Sequence, residues 1–195
     1  MKKIMLFLLA GLITISLWGQ EKKDLTLSVA TGKLTSPYYQ KDEAGDFYSI
    51  DFDYYITSRQ MVSANFNVGS HAYYEHKLSN YPNGILYEDG TNAKANYRTF
   101  SILYKYKIVN TKVFSVALGM GAGFMTQTLQ YPHLQGSSIY PMQSTWSDLV
   151  FPVRLELDYK ISKHFRLGFI CGFFVHPDYP ILAYHAGPRI TYVVK

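Results

Sequence analysis

Several groups of residues in this chain are of types and spacings that could do chemistry. His71, Glu75 and His76 bring two imidazoles and a carboxylate together within a short polar stretch, the donor types a zinc ion selects. They sit among Tyr, Ser and Asn residues where side chains are ordinarily solvated, so no metal site is expected from them. Gly119, Gly121 and Gly123 match a phosphate-binding loop only in composition. They are spaced by two, and no helical pattern follows. They are therefore read as strand positions where backbones or inner side chains pack closely. Cys171 is the one cysteine, which excludes an intramolecular disulfide and leaves an ordinary packing residue. No catalytic set, cofactor site or metal site emerges.

The charges are more informative. Asp51, Asp53, Lys105, Lys107, Arg154, Glu156, Asp158, Arg166 and Arg189 lie within runs where every second residue is large and apolar. Successive side chains of a strand point to opposite faces, so these charges share one face and the apolar residues the other. Mixed signs on an enclosed face must pair, because burying lone charges is costly. Asp51, Asp53, Lys105, Arg154, Glu156, Asp158, Arg166 and Arg189 are expected to form one structural interior network.

The elements that carry these charges are strands. Period-two alternation recurs in about eight segments: Leu25–Ala30, Tyr48–Ile56, Val62–Gly69, Thr99–Lys107, Phe114–Phe124, Leu149–Lys160, Phe165–Phe173 and Leu182–Val194. Most are long enough for the roughly 9–11 residues of a tilted membrane strand. Connections alternate between short (near Thr57–Gln60, Val109–Lys112 and Ile161–Lys163) and long (Lys33–Asp46, His71–Ala95, Thr128–Ser147 and Pro177–Pro180). Aromatics gather at both ends of the strands. Tyr54, Tyr104, Tyr106, Phe114, Tyr159, Phe165 and Tyr192 lie near short turns, and Tyr48, Tyr97, Phe124, Phe173 and Tyr184 near long loops. Two interfacial girdles would have this pattern.

Composition agrees. Aromatics make up 16% of the 195 residues and charged residues 17%, below the roughly 25% usual for soluble domains. Mean hydropathy is nonetheless −0.07, because an apolar lipid face and a polar inner face average out. The net charge of +5 is not clustered, so nucleic-acid binding is not expected. Lys2 and Lys3 before the apolar run Ile4–Leu17 read as a signal peptide over residues 1–19, with one barrel domain over 20–195.

On this strand pattern, loop order and leader, the chain resembles small outer-membrane barrels of the OmpA transmembrane-domain and OmpX type. The terminal stretch Gly187–Lys195 looks like their assembly signal, although it ends in Lys195 instead of an aromatic residue. The resemblance implies an all-β fold, an eight-stranded antiparallel up-and-down transmembrane barrel. It implies export to a Gram-negative outer membrane, with that membrane's lipid, lipopolysaccharide and assembly machinery as partners. The expected role is structural or surface-interacting, through external loops over a plugged interior. Tyr73, Tyr74, Tyr87 and Trp146 are candidates for recognising a surface protein or glycan, since Tyr and Trp favour contact surfaces. Two alternatives remain. One is a lipid- or lipopolysaccharide-modifying enzyme. Lipid A deacylases place Ser and His two residues apart on a strand, whereas His71, His76, His164 and His185 are followed at that distance by Tyr73, Leu78, Arg166 and Gly187. The other is a small transport or ligand-binding barrel. An eight-stranded barrel filled by its side chains leaves no open pore.

Overall fold

The computed structural model describes residues 24–37, 40–74, 92–135, 138–178 and 180–194. Residues 1–19, assigned above to a signal peptide, lie outside them. Among the described residues nine strands are formed: β1 (Leu25–Thr35), β2 (Gln40–Glu43), β3 (Gly45–Tyr55), β4 (Gln60–Tyr74), β5 (Asn92–Asn110), β6 (Phe114–Gln135), β7 (Ser138–Lys160), β8 (Phe165–Val175) and β9 (Ala183–Val194). Each long strand pairs antiparallel with its sequence neighbours, and β1 pairs with β9. The eight long strands therefore close into a ring, an up-and-down barrel without a free edge. β2 is a short addition beside the end of β4, with Gln40 opposite Tyr74.

Alternation sets the two faces. On β3, Phe47, Ser49, Asp51, Asp53 and Tyr55 are buried inside, while Tyr48, Ile50, Phe52 and Tyr54 are exposed outside. The outer wall is a continuous apolar surface, including Val29, Phe66, Phe100, Ile102, Met120, Phe169 and Ile190. A soluble protein has no use for so large an exposed apolar band; a bilayer covers it. Exposed Tyr54, Tyr104, Tyr159 and Tyr192 mark its short-turn end, and Tyr48, Phe124 and Tyr184 its long-loop end.

Short turns fall at residues 56–59, 111–113 and 161–164, each braced by a Thr or Ser side chain. Thr57 Oγ1 accepts the Gln60 N–H at 3.0 Å, Thr111 Oγ1 the Phe114 N–H at 2.9 Å, and Ser162 Oγ the Phe165 N–H at 3.0 Å. The other end departs from the sequence expectation. The stretch Thr128–Ser147, read as a loop, is mostly hairpin, paired as far as Gln135 opposite Ser138. Its polarity suggested a loop, but Thr is a strand former, and cross-strand hydroxyl pairs hold it: Thr126–Ser147 at 2.8 Å and Thr128–Thr145 at 3.2 Å.

Two prolines interrupt the ladders where their missing N–H would be required. Pro152 lies in the gap between the pairs Met120–Val153 and Gly123–Val150, and Pro188 in the gap between Ala30–Arg189 and Lys33–Ala186. Beside Pro188 the strands nearly touch: a Cβ on Gly187 would fall 1.9 Å from the Thr31 carbonyl oxygen. Only glycine fits there.

Candidate functional site: the barrel interior and its two mouths

The inward side chains form two layers. Across the middle and toward the short turns lies a charged layer, supplied by β3, β5, β7 and β9. Arg154 Nη1 donates to Asp51 Oδ1 at 2.7 Å, and its Nη2 to Ser49 Oγ at 2.9 Å and Asn67 Oδ1 at 3.2 Å. Lys105 Nζ lies 2.8 Å from Asp53 Oδ1 and 2.7 Å from Glu156 Oε1. Arg189 Nη1 donates to Glu156 Oε2, and Nη2 to Asp53 Oδ2 at 3.2 Å and Ser28 Oγ at 2.8 Å. Asp158 Oδ2 stands 3.9 Å from Arg189 Nη1. All seven of these charged residues are buried. Each carboxylate thus faces a cation supplied by a different strand, the arrangement in which burial of charge is offset by pairing and hydrogen bonding. Glycine makes room for it: a Cβ on Gly119 would meet Lys105 Cγ at 3.0 Å.

Arg166 belongs elsewhere. Its Nη1 donates to Tyr55 Oη at 2.8 Å, and no carboxylate pairs with it among the described residues. It sits just after the last short turn, below the charged layer. Lys107 is its neighbour there, with Nζ 4.4 Å from the centroid of the Tyr55 ring.

Toward the long-loop end the interior turns apolar. Leu34, Phe47, Tyr73, Tyr97, Met125, Val150, Phe174 and Leu182 form one buried cluster, against which Trp146 packs. Two sequence expectations are corrected here. Tyr97 was placed in the outer girdle, yet it is only 2% exposed and lies inside. Its parity is that of Thr99, Ser101 and Lys105, which fixes its face. Tyr73, a candidate recognition residue, is 3% exposed for the same reason, because β4 continues to Tyr74 and keeps His71 and Tyr73 inward. Trp146 is half-buried and meets His176 edge-on at 6.0 Å. The side chain of Tyr74, and Tyr87, Glu75 and His76, lie outside the description.

His71 is buried, with Nε2 2.8 Å from Tyr97 Oη, which also accepts Gln127 Nε2 at 3.2 Å. His185 stacks on Phe47 at 4.1 Å, between the two layers. A grouping the sequence did not suggest is Asp148, His176 and Asp178, whose donor atoms lie within 4.8 Å of one another. His176 Nδ1 accepts the Asp178 N–H at 3.1 Å, so Nε2 carries the proton and faces Asp148 Oδ2 at 3.0 Å. That is a histidine–carboxylate pair, with the coordinating nitrogen already committed.

On the outer wall at the long-loop end, a polar groove of about 550 Å³ is lined by Asp46, Ser70, Asn96, Arg98, Thr128 and Gln143, with Tyr48 also on its wall. At the opposite mouth, a polar cavity of about 300 Å³ is lined by Asp24, Tyr55, Lys107, Asn110, Lys160 and Arg166, among others.

No protein-family model and no curated protein matches the sequence. Solved structures do match in fold. Ail, the attachment invasion locus protein of Yersinia pestis, solved in complex with the heparin analogue sucrose octasulfate, is 10% identical. It covers 89% of this chain and 100% of its own, with a TM-score of 0.57. OprG, an outer membrane protein of Pseudomonas aeruginosa, is 10% identical over 90% of this chain and 98% of its own, at 0.55. Neisserial surface protein A is 11% identical over 87% of this chain and 95% of its own, at 0.54. The chain thus has the fold of the small outer-membrane β-barrels, the resemblance its strand pattern and loop order carry.

Proposed function

We propose that the chain is an integral outer-membrane protein with a plugged interior, acting structurally or as a surface-interaction module through its long-loop end. One observation carries this reading: an apolar outer wall of membrane type encloses a lumen crossed by Arg154–Asp51 and its companion ion pairs. Such a barrel sits in lipid and conducts little. Export by a cleaved leader and insertion by the outer-membrane assembly machinery belong to the same reading.

The outward polar groove around Arg98 stands beside Tyr48 of the girdle, at the height where lipid headgroups and sugars would lie. Lipopolysaccharide or a surface glycan fits its hydroxyl, amide and guanidinium donors. The complex of Ail with a sulfated sugar supports an anionic glycan as the kind of partner. No catalysis is part of this reading.

Planar-bilayer recording tests the plug. The wild-type protein should show little steady conductance. A large, stable open conductance would overturn the plug and favour transport.

A further inference from the structure

Lys107 is 4% exposed, yet its ammonium has neither a carboxylate nor a hydrogen-bond acceptor among the described residues. It lies over the face of the Tyr55 ring, 4.4 Å from the centroid. Arg166 approaches that same ring, at 5.8 Å from the centroid, and holds the Tyr55 hydroxyl. Two cations therefore converge on one neutral side chain. A third, Lys160, lines the same cavity, where its Nζ donates to Asn110 Oδ1 at 3.1 Å and to the Thr111 carbonyl at 2.6 Å. Among the described residues, the only carboxylate lining the cavity is Asp24. Asp158, the next one inward, stands beside Arg189.

This differs from the charged layer above it. There each cation lies beside carboxylates of other strands, although Asp51 Oδ2, Asp158 Oδ1, Arg154 Nε and Arg189 Nε have no hydrogen-bond partner among the described residues. At the short-turn mouth Lys107 and Arg166 meet no carboxylate among the described residues, and the Lys107 side chain lines a cavity. Burial of a cation is stabilised only by an opposing charge or by hydrogen bonds to the charged group. A ring face attracts a cation more weakly than an anion does. An anion from outside the chain would supply that opposing charge.

We propose that the cavity framed by Tyr55, Lys107, Lys160 and Arg166 is a binding site for an oxyanion of the phosphate class. Arg166 offers a planar fork and Lys107 a point charge, the pair of donors that suits a phosphate. The Asn110 side chain is committed to the wall: its Nδ2 donates to the Ser58 carbonyl at 3.2 Å, and its Oδ1 accepts Lys160. The cavity's volume of about 300 Å³ admits one such group. The ligand would come as a soluble phosphate or as a phospholipid headgroup of the adjacent leaflet. That this leaflet faces the periplasm rests on the function proposed above; the anion site itself does not.

The test uses the full barrel refolded into phosphatidylcholine nanodiscs. Sodium phosphate is titrated against sodium chloride at matched ionic strength, with calorimetric binding and the thermal midpoint as readouts. Phosphate should bind saturably and raise the midpoint where chloride does not. Lys107→Met should raise the midpoint without phosphate, since it removes a buried unpaired charge. It should also weaken phosphate binding by about tenfold or more, the loss of one charge-assisted contact. Arg166→Gln should show the same loss and carries the test if Lys107→Met does not refold. Lys94→Ala, at an exposed position of β5 outside both cavities, should bind as wild type. Repeating the titration in phosphatidylglycerol nanodiscs separates the sources. Weakened phosphate binding there identifies a competing headgroup, and unchanged binding a soluble anion. Equal effects of phosphate and chloride, or undiminished phosphate binding in the refolded variants, would overturn the site.

Discussion

Arg154 and Asp51 stand on opposite walls of the barrel, four strands apart around the ring, and their side chains meet at 2.7 Å. This ion pair therefore spans the lumen, and its partners are 103 positions apart in the sequence. Removing either partner leaves the other charge buried, a change that ordinarily costs about 3–5 kcal/mol. Arg154→Ala and Asp51→Ala are each expected to lose about that much in urea unfolding. Arg98→Ala, on the outer wall, should stay within about 0.5 kcal/mol of wild type. The double variant Asp51→Leu/Arg154→Met should recover most of the loss, because no unpaired charge remains. Equal, small losses for all the single variants would remove the network from any stabilising role.

Much of this network was legible because a barrel makes face a matter of parity. Asp51, Asp53, Lys105, Arg154, Glu156, Asp158 and Arg189 all fall on inward positions, and one period-two count places them. Arg166 has the right parity as well, but depth decides its partners, and depth depends on strand stagger that no single sequence states. Tyr73 and Tyr97 show the opposite case. Their residue type argued for the girdle or the loops, their parity for the inside, and parity won. The His176–Asp148 pair joins a residue of β7 to one just past the end of β8, through a loop geometry that carries no periodic signal. Thr128–Ser147 misled because polarity is shared by loops and by strands that stand clear of lipid.

The buried Tyr97 hydroxyl lies within hydrogen-bond reach of His71 Nε2 and Gln127 Nε2. Tyr97→Phe leaves both facing an apolar ring edge in a closed interior. The expected cost is about 1 kcal/mol for each hydrogen bond lost. Tyr48→Phe, at an exposed ring, should change little. Denaturant midpoints of the two variants measure the difference.

Orientation follows from the loop order and is tested by labelling. In a Cys171→Ala background, cysteines at Gln143 or Thr145, on the exposed hairpin extension, should react with an impermeant reagent on intact cells. Cysteines at Lys112 or Lys163, in the short turns, should react only after the outer membrane is opened. The reverse pattern would turn the barrel over and move the outward polar groove to the periplasmic side.

The last expectation concerns what closes the barrel. Its interior has two layers in series, the charged one and, toward the long loops, the cluster of Leu34, Phe47, Tyr97, Met125 and Phe174. Breaking ion pairs hydrates the first layer, but an apolar constriction still opposes ions by excluding the water they need. Glu156→Ala alone should therefore lower stability and leave planar-bilayer conductance near the wild-type level. Phe47→Ala with Phe174→Ala should also conduct little, because the ion-paired layer below remains intact. Combining the three substitutions removes both barriers and should produce brief, ion-carrying openings. If Glu156→Ala by itself opened a steady conductance, the apolar layer would not be a seal, and the charged layer would be the whole of the plug.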